Sequence, residues 1–325
     1  MKVLVTGGAG YIGSHTCKAL ALQGHEVVVY DNLSTGHRAL VRWGDFEYGD
    51  IRDAARLSAV LRRHKPDGCI HFASSIAVGE SVIDPGKYYD NNVIGSLRIM
   101  ECLRDSACMR LVVSGTAAVY GLPEVLPIAE TSPLAPINPY GRTKLIMEWM
   151  LNDFALAHNL QWTSLRYFNA AGGDAAGETG EWHDPETHLI PNVLRAIDGD
   201  IPALRLFGDD YDTPDGTCIR DYIHVSDLAV AHVLALEYLL AGKPSMAMNL
   251  GTGTGISVRE ILDAAARVTG RPVPHSIEGR RAGDPARLVA DSHLAQKTLG
   301  WTMSHSDIST ILATAWAWHC QKKGK

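Results

Sequence analysis

No apolar run in this sequence approaches the roughly 20 residues that cross a bilayer, so a helical membrane span is not expected. The six cysteines (17, 69, 102, 108, 218 and 320) include no C-x-x-C pair, which argues against a zinc ribbon or a dithiol redox centre. They read instead as reduced core residues of a cytoplasmic protein. The 14 histidines include no H-E-x-x-H, and His183 and His188 lack companions at helical spacing, so no metal is expected. Positive charge is in short supply: 30 Lys and Arg against 36 Asp and Glu leave a net charge of −6, an argument against nucleic acid as a partner. A few local arginines would still suffice to hold a diphosphate. The start, Met1–Thr6, runs into glycine without the longer apolar stretch of a secretory signal, so export is not expected.

What is present is an alternation. Lys2–Thr6, Glu26–Tyr30, Cys69–Phe72, Arg110–Ser114 and Trp162–Tyr167 are short and rich in Val, Ile and aromatics, and read as buried strands. Between them Ile12–Gln23, Ala54–His64, Lys87–Asp105 and Tyr140–His158 read as helices. Strand and helix in strict turn force parallel pairing, because only a crossover returns the chain in the same direction. Strands apolar on both faces must be covered on both faces. The expected class is α/β, a doubly wound parallel sheet of Rossmann type, with a smaller, discontinuous α/β substrate lobe. Residues 1–170 would form the nucleotide-binding domain and 171–325 mainly the second lobe. Val225–Leu240 and Met246–Leu250, within about 222–252, would rejoin the first. Segments 172–187 and 208–219, rich in Gly, Asp, Thr and Pro, read as loops, and further helices are expected at His188–Asp198, Val258–Val268 and Ile308–Cys320.

Chemistry enters at the first turn. Gly7, Gly10 and Gly13 give G-x-x-G-x-x-G directly after an apolar strand and before a helix, the setting of a dinucleotide site. Side chains at Gly7 or Gly10 would hold a pyrophosphate away from the backbone amides, and Gly13 permits close packing of helix on strand. Asp31, ending the second strand, would accept from the ribose hydroxyls and repel a 2′-phosphate, so NAD is expected rather than NADP. Gly49-Asp50-Ile51 and His71-Phe72-Ala73 follow later strands and are candidates to flank the same cofactor. Tyr140 and Lys144 form Y-x-x-x-K on one helical face. Phenol is a poor base near its ordinary pKa of about 10. A neighbouring ammonium and the positive nicotinamide ring would both favour phenolate. Ser114 and Thr116 leave the fourth of these strands at its carboxyl end, where ligands bind in such sheets.

Together these motifs resemble the extended short-chain dehydrogenase/reductase family. Longer strings are similar to its UDP-glucose/UDP-galactose 4-epimerase group: Tyr30–Arg38, Val78–Ser81, Tyr88–Val93, Arg166–Asn169, His188–Pro191, Arg220–Val225 and Arg281–Pro285. The resemblance implies an isomerase that carries NAD and works as a homodimer. Tyr140 would remove the proton of the sugar 4-hydroxyl while hydride passes from C4 to NAD, and the 4-keto sugar would turn over and be reduced on its other face. Thr116 would hydrogen-bond that hydroxyl, and Lys144 would hold the nicotinamide ribose and tune Tyr140. Tyr11, Ile12, Asp31, Asn32, Asp50, Ile51, Phe72, Ala73, Ser74, Asn91, Ser114 and Phe168 would complete the cofactor site. Asn169, His188, Leu189, Arg205, Phe207, Arg220, Tyr222, Arg281, Asp284 and Leu288 would hold the UDP-sugar. Arg220 and Arg281 suit a diphosphate clamp and Phe207 a uracil face on chemistry alone, although Arg220 could as readily pair with its neighbour Asp221. Ile76, His188 and Arg205 depart from residues that other members carry.

Dehydratases and decarboxylases of this family place an acid directly after the Ser/Thr pair. Here Ala117 and Ala118 stand there and cannot transfer protons. A non-catalytic NAD sensor would have no need of Tyr140 and Lys144. The sugar pair itself (glucose/galactose, the N-acetylated pair, or xylose/arabinose) stays open at this point.

Overall fold

The computed structural model describes residues 1–281 and 284–324; Ala282 and Gly283, inside the Arg281–Pro285 string, lie outside the described residues. The first half alternates as the pattern requires. β1 (Lys2–Thr6), α1 (Tyr11–Leu22), β2 (Glu26–Asp31), β3 (Asp45–Tyr48), α2 (Ala54–His64) and β4 (Gly68–His71) come first. α3 (Val78–Ile83), α4 (Pro85–Tyr88), a π-helical turn (Tyr89–Ile94) and α5 (Gly95–Arg104) follow. Then come β5 (Arg110–Thr116), α6 (Pro139–His158) and β6 (Gln161–Tyr167). The second half holds β7 (Asn169–Ala171), α7 (Leu189–Ile197), β8 (Leu204–Phe207), β9 (Ile219–Arg220), β10 (Tyr222–His224) and α8 (Val225–Leu240). It ends with β11 (Met246–Leu250), β12 (Ile256–Ser257), α9 (Val258–Thr269), β13 (His275–Glu278), β14 (Arg287–Leu288), α10 (His293–Leu299) and α11 (Ile308–Lys322).

Seven strands form one parallel sheet in the order β11-β6-β5-β4-β1-β2-β3, the doubly wound arrangement that alternation demands. Two cores cover its faces. One packs α1 and α8 against the sheet through Leu20, Leu228, Leu236 and Leu239. The other packs α2, α5 and α6 through Leu57, Leu61, Ile99, Leu103, Met147 and Leu151. A third core is built on α7, α9 and α11. β3 was not expected because Asp45-Phe46-Glu47-Tyr48 alternates without an apolar run. As the edge strand it needs only one covered side. The expected helix Lys87–Asp105 is broken by the π turn at Tyr89–Ile94, and among the described residues no helix is long and apolar enough to cross a membrane.

A buried polar network ties the layers together. Glu148 on α6 accepts from Arg166 Nε at 2.9 Å and Nη2 at 2.5 Å, and from Ser164 Oγ at 2.7 Å, both residues on β6. Arg166 Nη1 donates to Tyr120 Oη (2.8 Å), which donates to Asn249 Oδ1 on β11 (2.7 Å). With both carboxylate oxygens occupied, the pair fixes α6 along its axis on the sheet. Cys17, Cys69, Cys102 and Cys108 are buried free thiols.

Candidate active site

The carboxyl ends of β1, β2, β4 and β5 open onto one crevice, and the glycine turn forms its floor. Gly7 has φ +75° and lies so close to the chain leaving β4 that a Cβ there would sit 2.5 Å from Ala73 N and 2.7 Å from the Phe72 carbonyl carbon. A Cβ on Gly13 would clash with Gly7 O and lie 2.9 Å from Gly8 Cα, so α1 packs on the turn itself. α1 begins at Gly10 with no side-chain cap and no acid in its first turn, leaving its positive end uncompensated. These features suit a pyrophosphate.

Asp31 ends β2 with its carboxylate nearly buried; Oδ2 accepts from Ala9 N at 3.0 Å and Oδ1 from Leu33 N at 2.8 Å. Burial raises its pKa, and the two amides work against that. Each oxygen retains a lone pair for a ribose hydroxyl. Replacing Asp31 with Asn keeps an acceptor while removing the charge that repels a 2′-phosphate. NAD binding, measured after stripping the cofactor, should weaken and NADP should gain relative to it. An unchanged preference would remove Asp31 from this role. Asp50 is engaged differently: Arg52 donates to it at 2.9 and 2.7 Å and Asn32 Nδ2 at 2.9 Å, holding its carboxyl well below the usual range. Ile51 is buried in the core beside α5, while Tyr11 Oη donates to Gly172 O at 2.6 Å, linking α1 to the loop after β7.

The reactive groups meet at the end of β5. Lys144, 2 % exposed, donates from Nζ to Ser74 Oγ (2.9 Å), Ser114 O (2.8 Å) and Ser114 Oγ (3.0 Å). Burial lowers its pKa to about 7, opposed by Glu148 one turn along α6. Tyr140 Oη lies beside the Thr116 hydroxyl, and its ring packs edge-on against Tyr88 at 6.5 Å. The expected lowering of the phenol pKa is not delivered by the side chains alone. Burial raises it and the nearby Thr116 hydroxyl only partly opposes this; a positive nicotinamide ring, if bound alongside, would act in the lowering direction. Thr116 caps the short turn Ala117–Tyr120, accepting from Ala118 N at 3.2 Å. Both alanines stand where an acid would serve elimination chemistry.

Two contributors escaped the sequence reading. Asn92 accepts from Ser75 N (2.8 Å) and donates to Ser75 O (3.0 Å) and to Thr143 Oγ1 (3.1 Å), stitching the loop after β4 to α6. Asn91, the candidate beside it, donates to Asn92 Oδ1. Tyr167, at the end of β6, lies near Ser114 and Tyr140; its signal was the Arg166–Asn169 string.

On the facing lobe, Arg220 Nη2 pairs with Asp284 Oδ1 at 2.8 Å rather than with Asp221. Asp221 is consumed by the amides of Thr252 and Gly253 and by the Thr252 hydroxyl, while Asn169 Nδ2 donates to the Asp221 carbonyl at 3.1 Å. The guanidiniums of Arg281 and Arg205 lie 3.9 and 5.1 Å from the Phe207 ring centre, so cation–π contact and not an open uracil face is what this ring shows. Tyr222 is buried and Leu189 opens α7. Leu288 pairs with Arg220 in register and packs, with Phe168, on Ala117, Val119, Tyr120, Ile128 and Leu145. His188 is turned away into a cluster with Glu181, His183 and Glu186.

Residues 3–251 match the NAD dependent epimerase/dehydratase family. The chain belongs to that family. The UDP-glucose 4-epimerase of Rhizobium meliloti (strain 1021) is 53% identical to this family member over 99% of this chain and 98% of its own length. The crystal structure of the Brucella ovis UDP-glucose 4-epimerase in complex with NAD superposes with a TM-score of 0.95 at 56% identity, covering 97% of each chain. That of the Stenotrophomonas maltophila UDP-glucose-4-epimerase, with bound NAD and formylated UDP-arabinopyranose, gives 0.96 at 42% identity over the whole of both chains. The expected NAD-dependent isomerase on a Rossmann-type sheet is thereby established for this family member.

Proposed function

We propose that this chain interconverts UDP-glucose and UDP-galactose, with residues 1–170 and about 222–252 holding NAD and the remainder mainly holding the UDP-sugar. The observation that carries the reading is the trio at the end of β5: Tyr140 beside Thr116, with Lys144 buried next to them and alanines in place of an acid. Bound NAD supplies a reversible hydride acceptor for C4, so no net oxidation accumulates. Tyr140 Oη takes the proton of the C4 hydroxyl and later returns it. Thr116 Oγ1 orients that hydroxyl. Lys144, now donating to Ser74 and Ser114, would redirect one of its three hydrogen bonds to the ribose of the bound cofactor. Gly7, Gly10, Tyr11, Ile12, Gly13, Asp31, Asn32, Phe72, Ala73, Ser74 and Ser114 complete the NAD set. Asn169, Leu189, Phe207, Arg220, Tyr222, Arg281 and Asp284 bind UDP, the arginines releasing their present partners to a diphosphate. Purified enzyme given UDP-galactose should form UDP-glucose without releasing NADH. Net NADH release, or binding without turnover, would overturn the reading in favour of an oxidoreductase or a sensor.

The homodimer and the cytoplasmic setting belong to the same proposal. Trp149 and Leu156, seven residues apart on α6, are 57% and 87% exposed and suit a helix-to-helix contact between copies.

Leu288 sets substrate breadth in this reading, because it is half-buried against the Ala117–Tyr120 turn while paired with Arg220. Leucine leaves some room at the sugar 2-substituent but offers no hydrogen bond. The plain sugars should exceed the N-acetylated ones by about 10–200-fold. Leu288→Tyr should suppress the N-acetyl rate selectively and Leu288→Ser raise it, in variants first checked for folding, since truncating a core leucine costs about 2–5 kcal/mol. If well-folded variants leave the ratio untouched, Leu288 is core only.

A further inference from the structure

Away from the reacting groups, the loop after β7 gathers Glu181, His183, Glu186 and His188, each offering one ligand atom within 4.8 Å of the others. His183 and His188 have no ligand partners at helical spacing in the sequence; folding supplies two carboxylates. Glu181 and Glu186 side chains are each only 7% exposed. His183 Nδ1 lies 3.3 Å from Glu181 Oε1 and 3.6 Å from Glu186 Oε2, and His188 Nδ1 lies 2.7 Å from Glu181 Oε1 and 3.3 Å from Glu186 Oε1. Yet Glu181 Oε1, His183 Nδ1 and His188 Nδ1 are all buried without a hydrogen-bond partner. They meet in space and miss in angle, as ligands around one centre do. Left so, each would cost about 1–3 kcal/mol.

We propose that these four side chains form a structural zinc site. Tetrahedral zinc, with bonds of about 2.0–2.2 Å to nitrogen and oxygen, spaces its ligand atoms about 3.3–3.6 Å apart; with Glu186 Oε2 as that residue's ligand atom, both distances from His183 Nδ1 meet this, and the 2.7 Å between His188 Nδ1 and Glu181 Oε1 opens on binding. Two imidazoles exclude the oxygen-only preference of calcium and magnesium. Four protein ligands leave no open position, which makes the site structural and not catalytic. The Thr187 and His188 amides fix Glu186 Oε1 at 2.8 and 2.9 Å, supplying the outer support that such ligands need. The site fastens a functional loop. Trp182 stacks on His37 at 3.8 Å, Trp318 Nε1 donates to Glu181 O at 2.9 Å, and the His183 ring meets the edge of Tyr11 on α1. Leu189, opening α7 on the substrate side, follows His188 directly. One ion thus holds the loop between the cofactor-side and substrate-side elements. The other His/Asp group, Asp198, Asp200 and His319, already has Lys323 seated between its two carboxylates and needs no cation.

The enzyme with its NAD would be dialysed against a chelator, reloaded with zinc chloride and measured for bound metal and melting temperature. One zinc per chain is expected, with a rise of several degrees at about 100-fold excess over Kd. Cobalt(II) in its place should give the visible absorption of tetrahedral coordination. Glu181→Gln and His183→Asn should each lose the ion, and His319→Asn should keep it. Should the variants unfold, the wild-type zinc content and cobalt spectrum decide alone. No stoichiometric zinc in the folded wild type, or full retention by folded Glu181→Gln and His183→Asn, would mean that the cluster is two imidazolium–carboxylate pairs only and overturn the proposal.

Discussion

Tyr140→Phe should lower UDP-galactose turnover by about 10²–10⁴-fold while leaving UDP-sugar affinity nearly unchanged. The ring should stay in place because its neighbour Tyr88 is fully buried and held by its own hydroxyl, which donates to Ala77 O at 2.6 Å and Glu80 Oε2 at 2.8 Å. Only the oxygen beside Thr116 is lost, and neither neutral Thr116 nor Ala117 and Ala118 offers a carboxylate in its place. Steady-state rates with calorimetric binding of UDP-glucose test this together. A variant keeping more than about a tenth of the rate would show that Tyr140 is not the base.

Glu148→Ala should be the costliest single change to stability among those considered, about 3–5 kcal/mol by denaturant unfolding. It leaves the Arg166 guanidinium, 4% exposed, without either of its carboxylate bonds, and deprives Ser164 of its acceptor. Glu148→Gln retains an acceptor and should cost less. Because Tyr140, Lys144 and Glu148 follow one another at four-residue steps on α6, any slip of that helix also moves the reactive pair. A loss under about 1 kcal/mol for the alanine variant would show that water enters the site and solvates Arg166.

Much of this was readable before any coordinate, for local reasons. Parallel strands buried on both faces announce themselves as apolar runs, and Gly7, Asp31, Ser114, Tyr140 and Lys144 occupy spacings tied to those runs. What stayed hidden depends on contacts distant in sequence. β3 is an edge strand with one buried residue, so hydropathy has nothing to register. Glu148 and Arg166 are 18 residues apart on different element types, and no periodicity joins them. Arg220 finds Asp284 across 64 residues while its immediate neighbour turns toward backbone amides. His183 and His188 showed no ligand spacing because their carboxylate companions lie on an irregular loop, where helical intervals do not apply.

β11 reaches the sheet late. It pairs with β6 from Met246 to Leu250, and Asn249 within it receives the Tyr120 hydroxyl and donates to Ile128 O at 2.9 Å. About 80 residues separate the end of β6 from that strand. At translation rates of about 5–20 residues per second, a nascent chain spends roughly 4–16 s with the far edge of β6 unpaired. An open strand edge, with its unpaired N–H and C=O groups, is a template for the wrong partner. Chains released after residue 171 should therefore aggregate rather than persist as a free nucleotide-binding half, and slower elongation between β6 and β11 should lower the yield of folded protein.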